Sequence, residues 1–165
     1  MQALGEHDVR ALFGNANSAE LEALSLPVRF FVTEWAPLDA FGWRDPRTPS
    51  RGYLVTELEG RPVGIVLRAA DRTGSRHRAA LCNLCHTQQP ADQVELFTAR
   101  RAGAAGERGD SIGTYICADL ACQETVRLGR PPAPSEVQPS AHELERIDGL
   151  ARRTRAFVAD VLGVA

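Results

Sequence analysis

The chain has four cysteines, Cys82, Cys85, Cys117 and Cys122, and no others. They fall as C-x2-C and, after thirty-one intervening residues, C-x4-C. Thiolate sulfur is a soft anionic donor, and two close pairs offer four such donors to one tetrahedral ion, zinc above all. Both pairs sit where the chain can turn toward a common point. Cys82-Asn83-Leu84-Cys85 ends a strand-like run, and a two-residue gap lets both sulfurs face one site from a tight turn. Cys117 ends the strand-like TYIC, and Asp119 can cap a helix that would carry Cys122 in its first turn. Thiolates at a helix start gain from free backbone N–H groups. The order of strand, knuckle, hairpin, strand and helix is that of a treble-clef finger. Four thiolates fill the coordination sphere, so the zinc read from this spacing is structural and not catalytic.

Other chemistries fit parts of the same constellation. Cys82 to His86 spells C-x-x-C-H, the attachment pattern of c-type haem, but Met1 is the only methionine and Cys117 and Cys122 would have no role. A redox C-x-x-C calls for a helix behind it, whereas HTQQPADQ reads as a turn. A catalytic zinc needs an open position and a base; there is no H-x-E with P-C-x-x-C, and His142-Glu143 continues as LER. His77 or His86 standing in for a cysteine, and four buried free thiols, complete the alternatives.

Composition narrows the classes. An apolar fraction of 44%, a charged fraction of 24% and a net charge of -2 are ordinary for a globular chain and give no overall basic footprint for nucleic acid. All 19 basic residues are arginine, which removes Schiff-base lysines and a Walker lysine from consideration. The N-terminus carries acids early without a long apolar run, so no secretory signal or membrane span is expected, and the expected compartment is the reducing cytoplasm. There, paired cysteines are metal ligands more often than disulfides.

The elements that must hold these residues follow from periodicity and punctuation. From Glu6 to Leu26 two short helices are predicted, interrupted at Gly14 and Asn15, with Ser18 capping the second and Pro27 ending it. Val28 to Trp35 alternates like a strand, and the Pro-, Gly- and Asp-rich stretch after it reads as a loop pinned by Phe41 and Trp43. Strands are predicted at Tyr53–Leu58, Val63–Arg68, His77–Leu81, Val94–Thr98 and Thr114–Cys117, the first two joined as a hairpin. The Gly/Ala-rich stretch between the last two carries no nucleotide-binding signature and reads as a hairpin loop. A helix follows from Asp119 to about Leu128, then a proline-rich spacer, then a helix from Ser140 whose S-x-x-E with Glu143 is a capping box. Leu144, Ile147, Ala151, Val158 and Val161 form its apolar stripe, with Arg146, Arg152, Arg153 and Arg155 off it as a solvated face.

The C-x2-C and C-x4-C pairs, GTYIC leading through ADLAC into a helix, and the earlier W-R-D-P together resemble the FBP domain family over about Leu12 to Arg130. That family includes the FusB-type proteins that bind elongation factor G. The resemblance implies a treble-clef-like zinc domain that docks on this translocation factor and promotes its release from the ribosome. The four zinc ligands carry over to Cys82, Cys85, Cys117 and Cys122. The chain departs from the FusB type in its short segment before Pro27, in Asn83 between the first cysteines and in lacking lysine, so the partner contacts do not carry over with the ligands, and the resemblance leaves fusidic acid resistance open.

The reading is an α+β chain: a β-rich domain with a treble-clef-like four-cysteine zinc finger, a short N-terminal helical segment and a C-terminal helix. Its divisions are a helical segment over 1–27, the zinc-finger domain over 28–130, a linker over 131–139 and the C-terminal helix over 140–165. The expected function is non-enzymatic binding of elongation factor G, with Arg100, Arg101, Arg108 and Tyr115 as candidate contact residues and structural Zn2+ as the cofactor; direct nucleic-acid and membrane contacts are not expected. A nucleic-acid- or ribosome-binding module, using a patch of Arg72, Arg76, Arg78, Arg100 and Arg101, is the first alternative. A redox or haem protein is the second.

Overall fold

The central strands carry apolar side chains on both faces, and that demands cover on both sides. A strand sends successive side chains to opposite faces, so Tyr53 and Val55 oppose Leu54, and Val66 opposes Ile65 and Leu67. The computed structural model, which describes residues 1–70, 79–127 and 141–164, meets this demand with three layers. In chain order the elements are α1 (Glu6–Arg10), α2 (Ser18–Glu22), α3 (Val28–Val32), β1 (Ala40–Arg44), β2 (Arg51–Leu58) and β3 (Arg61–Ala69). They continue as β4 (Ala79–Leu81), β5 (Gln88–Pro90), β6 (Val94–Arg100), α4 (Gly103–Glu107), β7 (Ser111–Cys117), α5 (Cys122–Arg127) and α6 (Ala141–Leu162).

An antiparallel sheet in the order β1-β2-β3-β6-β7 forms the middle layer, and β4 and β5 make a separate two-stranded ribbon. The segment with α1 to α3 covers one face of the sheet. It builds a cluster of Val9, Phe13, Leu24, Phe30, Trp35, Phe41, Trp43 and Tyr53, in which Trp43 stacks on Tyr53 with ring centroids 4.9 Å apart. The opposite face packs Leu54, Ile65, Leu67, Phe97 and Ile116 against Leu150, Val158 and Val161 of α6 and against the cysteines. This is the mixed, β-rich arrangement with a C-terminal helix that the sequence predicts.

Several local expectations are revised. Val28 to Val32 is a turn of helix and not strand: Pro27 is the N-cap, and only Phe30 of the turn is buried. Apolar residues on its other sides mimic alternation, while Val28, Phe31 and Val32 stay exposed. The stretch read as a loop contains β1, an edge strand masked by Gly42 and its Pro- and Asp-rich flanks, and its Phe41 and Trp43 are buried in the core. The Gly/Ala-rich hairpin connection contains α4. Asn17, not Ser18, caps α2, closing a reciprocal box with Glu20. In α6, Leu144 is exposed while Leu150 and Thr154 are buried. His77, the Arg72, Arg76 and Arg78 patch, Leu128, Arg130, the proline-rich linker and Ser140 lie outside the described residues.

Side chains of the N-terminal segment and of W-R-D-P tie the layers together. The Trp43 indole donates to the Ser25 carbonyl at 3.0 Å. Asp45 is buried and accepts from the Tyr53 hydroxyl at 3.0 Å and from the Ser25, Arg47 and Thr48 N–H groups. Burial pushes the Tyr53 phenol up to about 12, with Asp45 adding to the shift and Arg51 opposing it.

Asn15 closes a gap in the sheet. β3 and β6 pair only at Arg68–Thr98 and Ala69–Phe97. Beyond that point the Asn15 amide donates to the carbonyls of Val66 (3.0 Å) and Arg100 (2.9 Å) and accepts from the Val66 N–H (2.7 Å). One side chain thus replaces a missing rung of the ladder. Asn15→Ala leaves buried backbone groups of Val66 without partners and is expected to cost about 2–4 kcal/mol. Urea unfolding of the zinc-loaded protein measures this, and a loss below about 1 kcal/mol would contradict the bridging role.

Candidate metal centre

The four sulfurs arrive from three directions. Cys82 and Cys85 occupy the turn between β4 and β5, which is closed by Cys82 N–H to the Thr87 carbonyl (3.2 Å) and His86 N–H to the Cys82 carbonyl (2.9 Å). Cys117 is the last residue of β7, opposite Val94 of β6. Cys122 opens α5. Between the last two, Leu120 N–H bonds the Cys117 carbonyl at 2.9 Å and Asp119 accepts from Ala121 N–H at 2.9 Å. Knuckle, β6–β7 hairpin and helix are the three curves of a treble clef.

All four Sγ atoms lie within 4.8 Å of one another, and every cysteine is buried. Cys82 and Cys122 are 3.6 Å apart, as are Cys85 and Cys117. Zn–S bonds of ~2.3 Å in a tetrahedron put sulfurs ~3.8 Å apart, whereas a disulfide needs ~2.05 Å. The spacing therefore fits zinc. Among the described residues no other group of His, Cys, Asp or Glu converges in this way. Buried at one point with Cys117 and Cys122, the sulfurs of Cys82 and Cys85 offer no free pair to a porphyrin.

The surroundings favour sulfur as thiolate. Cys85 N–H points to the Cys82 sulfur at 3.4 Å, and the Gln89 amide donates to the Cys117 sulfur at 3.0 Å. Without metal the protons divide unevenly. Hydrogen bonding from Cys117 and Cys122 holds the Cys85 thiol far below its ordinary value, while the contacts to Cys117, Cys82 and Cys85, with burial, drive Cys122 far above it. A dication resolves that competition by taking all four as thiolates. Bound zinc would be held by Cys82, Cys85, Cys117 and Cys122, and its chemistry there is cross-linking, since four sulfurs leave no open position.

Leu120 seats the ligand turn on the main sheet. It adopts φ +60°, the left-handed region, and is buried. A Cβ on Gly42 would lie 2.6 Å from the Leu120 carbonyl oxygen, and one on Gly52 2.5 Å from the Leu120 side chain. These two glycines of β1 and β2 form the slot that receives the turn. His86 likewise sits at φ +53° just after Cys85 and is exposed. It shapes the turn from a conformation in which a Cβ is costly.

The solvated arginine face expected on α6 holds for Arg152 and Arg155, which are exposed, although Arg155 reaches Asp39 at 3.1 Å. Arg153 instead donates from Nε to the Leu84 carbonyl, inside the knuckle, at 2.6 Å. Arg146 reaches Thr87 Oγ1 and the Thr125 carbonyl, each at 3.3 Å. The candidate contact residues do not form one patch. Arg100 bonds the Asn15 carbonyl and lies 3.9 Å from Glu20, and Arg101 pairs with Asp160 of α6 at 2.8 Å. Arg108 is exposed beside Asp110, and Tyr115 is exposed on β7. Gln89, Leu120 and Arg153 complete the centre; the first two were not singled out from the sequence as site residues, and Arg153 was read there as part of a solvated face. The one hint was Gly149, a lone glycine inside a helical pattern that ordinarily signals close packing.

Purified protein is expected to carry one zinc per chain by metal analysis. Stripping it should cost about 4 kcal/mol or more where free zinc exceeds Kd a thousandfold, seen as a lower midpoint in thermal unfolding. An apo protein that melts like the loaded one would contradict a structural metal. His86→Gly, by contrast, should keep zinc and raise stability by about 1 kcal/mol, because it relieves a left-handed residue.

Comparison with curated proteins and with solved structures gave no match. A family model described as the FBP C-terminal treble-clef zinc-finger matches residues 8–161. That span runs from within α1 to the last turn of α6, takes in the four cysteines and covers nearly the whole chain, and the protein belongs to this family.

Proposed function

We propose that the chain is a non-enzymatic binding protein for elongation factor G, acting in the cytoplasm to promote release of the factor from the ribosome. The closed four-sulfur centre suits a scaffold, since it has nowhere for a substrate to coordinate. The reading rests on the resemblance to FusB-type proteins, and the observation that carries it is the bare outer face of the finger's hairpin. There Ser111, Gly113 and Tyr115 of β7 are exposed, and Tyr115 keeps 53% of its surface open beside its cross-strand partner Leu96. An exposed tyrosine on a metal-stiffened hairpin loses little conformational freedom on docking, which is what makes such side chains anchors. Arg108, in the turn after α4, is an exposed cation of the same hairpin, 3.7 Å from the exposed Asp110, whereas Arg100 and Arg101 are held by Asn15 and Asp160. No helix of the described residues is long and apolar enough to cross a membrane.

The mechanism is selection. A protein that binds one conformation of the factor more tightly than another shifts the factor toward it, by no more than the difference in affinity. The test is binding of the full-length zinc-loaded protein to purified elongation factor G, run beside ribosomal RNA. Binding of the factor, weakened about tenfold or more by Tyr115→Ala, is the expected result. Retention of RNA without the factor would overturn the proposal in favour of a nucleic-acid-binding module.

A further inference from the structure

The metal centre borders a groove beneath α6. A groove of about 530 Å3 runs between the knuckle and α6, lined by Cys85, Thr87, Arg146, Gly149, Arg152 and Arg153 among others. Three guanidiniums in a groove suggest an anion site, but the charges beside them argue otherwise. Zinc with four thiolates carries a net charge of about -2, and Glu145 lines the same groove. The arginines therefore face negative charge that the chain already supplies.

Arg146 reaches Thr87 and Thr125 at 3.3 Å, and Arg153 makes the shorter bond, to the chain between the ligands. Its Nε donates to the Leu84 carbonyl, between the first two ligands, at 2.6 Å. Its guanidinium folds back over Gly149, where a Cβ would lie 2.8 Å from one terminal nitrogen and 3.1 Å from the other. The only residue that leaves this space open is glycine, and it sits one helical turn before Arg153. Burial and the neighbouring Arg152 lower the Arg153 pKa, while the sulfurs of Cys85 and Cys82 pull it back up. The guanidinium and Cys85 line the same groove.

We propose that Arg153 is the positioning residue of the zinc centre, fixing the knuckle through the Leu84 carbonyl and setting a positive charge against the thiolates. Groups just outside the ligand set orient the ligands and tune affinity for the metal. By this link α6, distant in sequence from every cysteine, is part of the metal site.

Zinc affinity of the full-length protein, read by competition with a chromophoric chelator, tests the assignment. Arg153→Gln is expected to weaken zinc about 10–100-fold. Arg153→Lys keeps the charge without the guanidinium fork and should recover part of that loss. Arg152→Gln removes an exposed cation that has no hydrogen bond among the described residues and should leave affinity within about twofold of wild type. Gly149→Ala keeps every charge and favours helix, yet displaces the Arg153 guanidinium, so it should weaken zinc while the helical circular-dichroism signal is kept. Wild-type affinity in Arg153→Gln or in Gly149→Ala would overturn the proposal. So would equal losses in Arg153→Gln and Arg152→Gln, or an Arg153→Lys protein as weak as Arg153→Gln.

Discussion

Four sulfur atoms from three separate pieces of chain must meet at one point, and they repel one another when ionised. Only a dication makes that meeting favourable. The pieces themselves have little independent claim to structure: β4 and β5 are three residues each and α5 is six. A ribbon or helix of that size does not persist alone in water. Their form depends on the cluster at their centre, and the cluster in turn depends on their turns to aim the sulfurs.

The finger is also fastened to the sheet from two sides. Leu120 enters the slot above Gly42 and Gly52, so the chain between the third and fourth ligands rests on β1 and β2. Arg153 and Arg146 hold the knuckle from α6. A third tie runs through β6 and β7, which belong to the main sheet and to the finger at once. The finger therefore shares its hairpin with the domain core, and strain at the metal reaches the sheet through covalent chain as well as through packing.

The readable part of this design was local in sequence. The ligand set followed from spacing, and the strands that place it followed from alternation in Tyr53–Leu58, Val63–Arg68 and Val94–Thr98. What escaped reading was set by tertiary contact. Val28 to Val32 looked like a strand because a single helical turn buries only Phe30, and one buried residue has no period. β1 was hidden because glycine in a short edge strand normally signals a loop, whereas Gly42 is there to admit Leu120. Asn15 and Arg153 act on partners 51 and 69 residues away, separations at which no periodicity survives. Arg146 and Arg153 of α6 were misjudged for the same reason, since charge on a helix gives no sign of what lies opposite.

The sheet divides the molecule's tryptophans from its metal. Trp35 and Trp43, the only tryptophans, both belong to the cluster under the N-terminal helices, as do Phe30 and Tyr53. The sulfurs share the other face, where Phe97 is the one fully buried aromatic side chain. Tryptophan fluorescence therefore observes the half of the molecule that the metal does not hold. A protein that had lost its ion and loosened its finger would still look native to that light, and only the sulfur-to-metal absorption of a cobalt-substituted chain would report from the side where the centre lies.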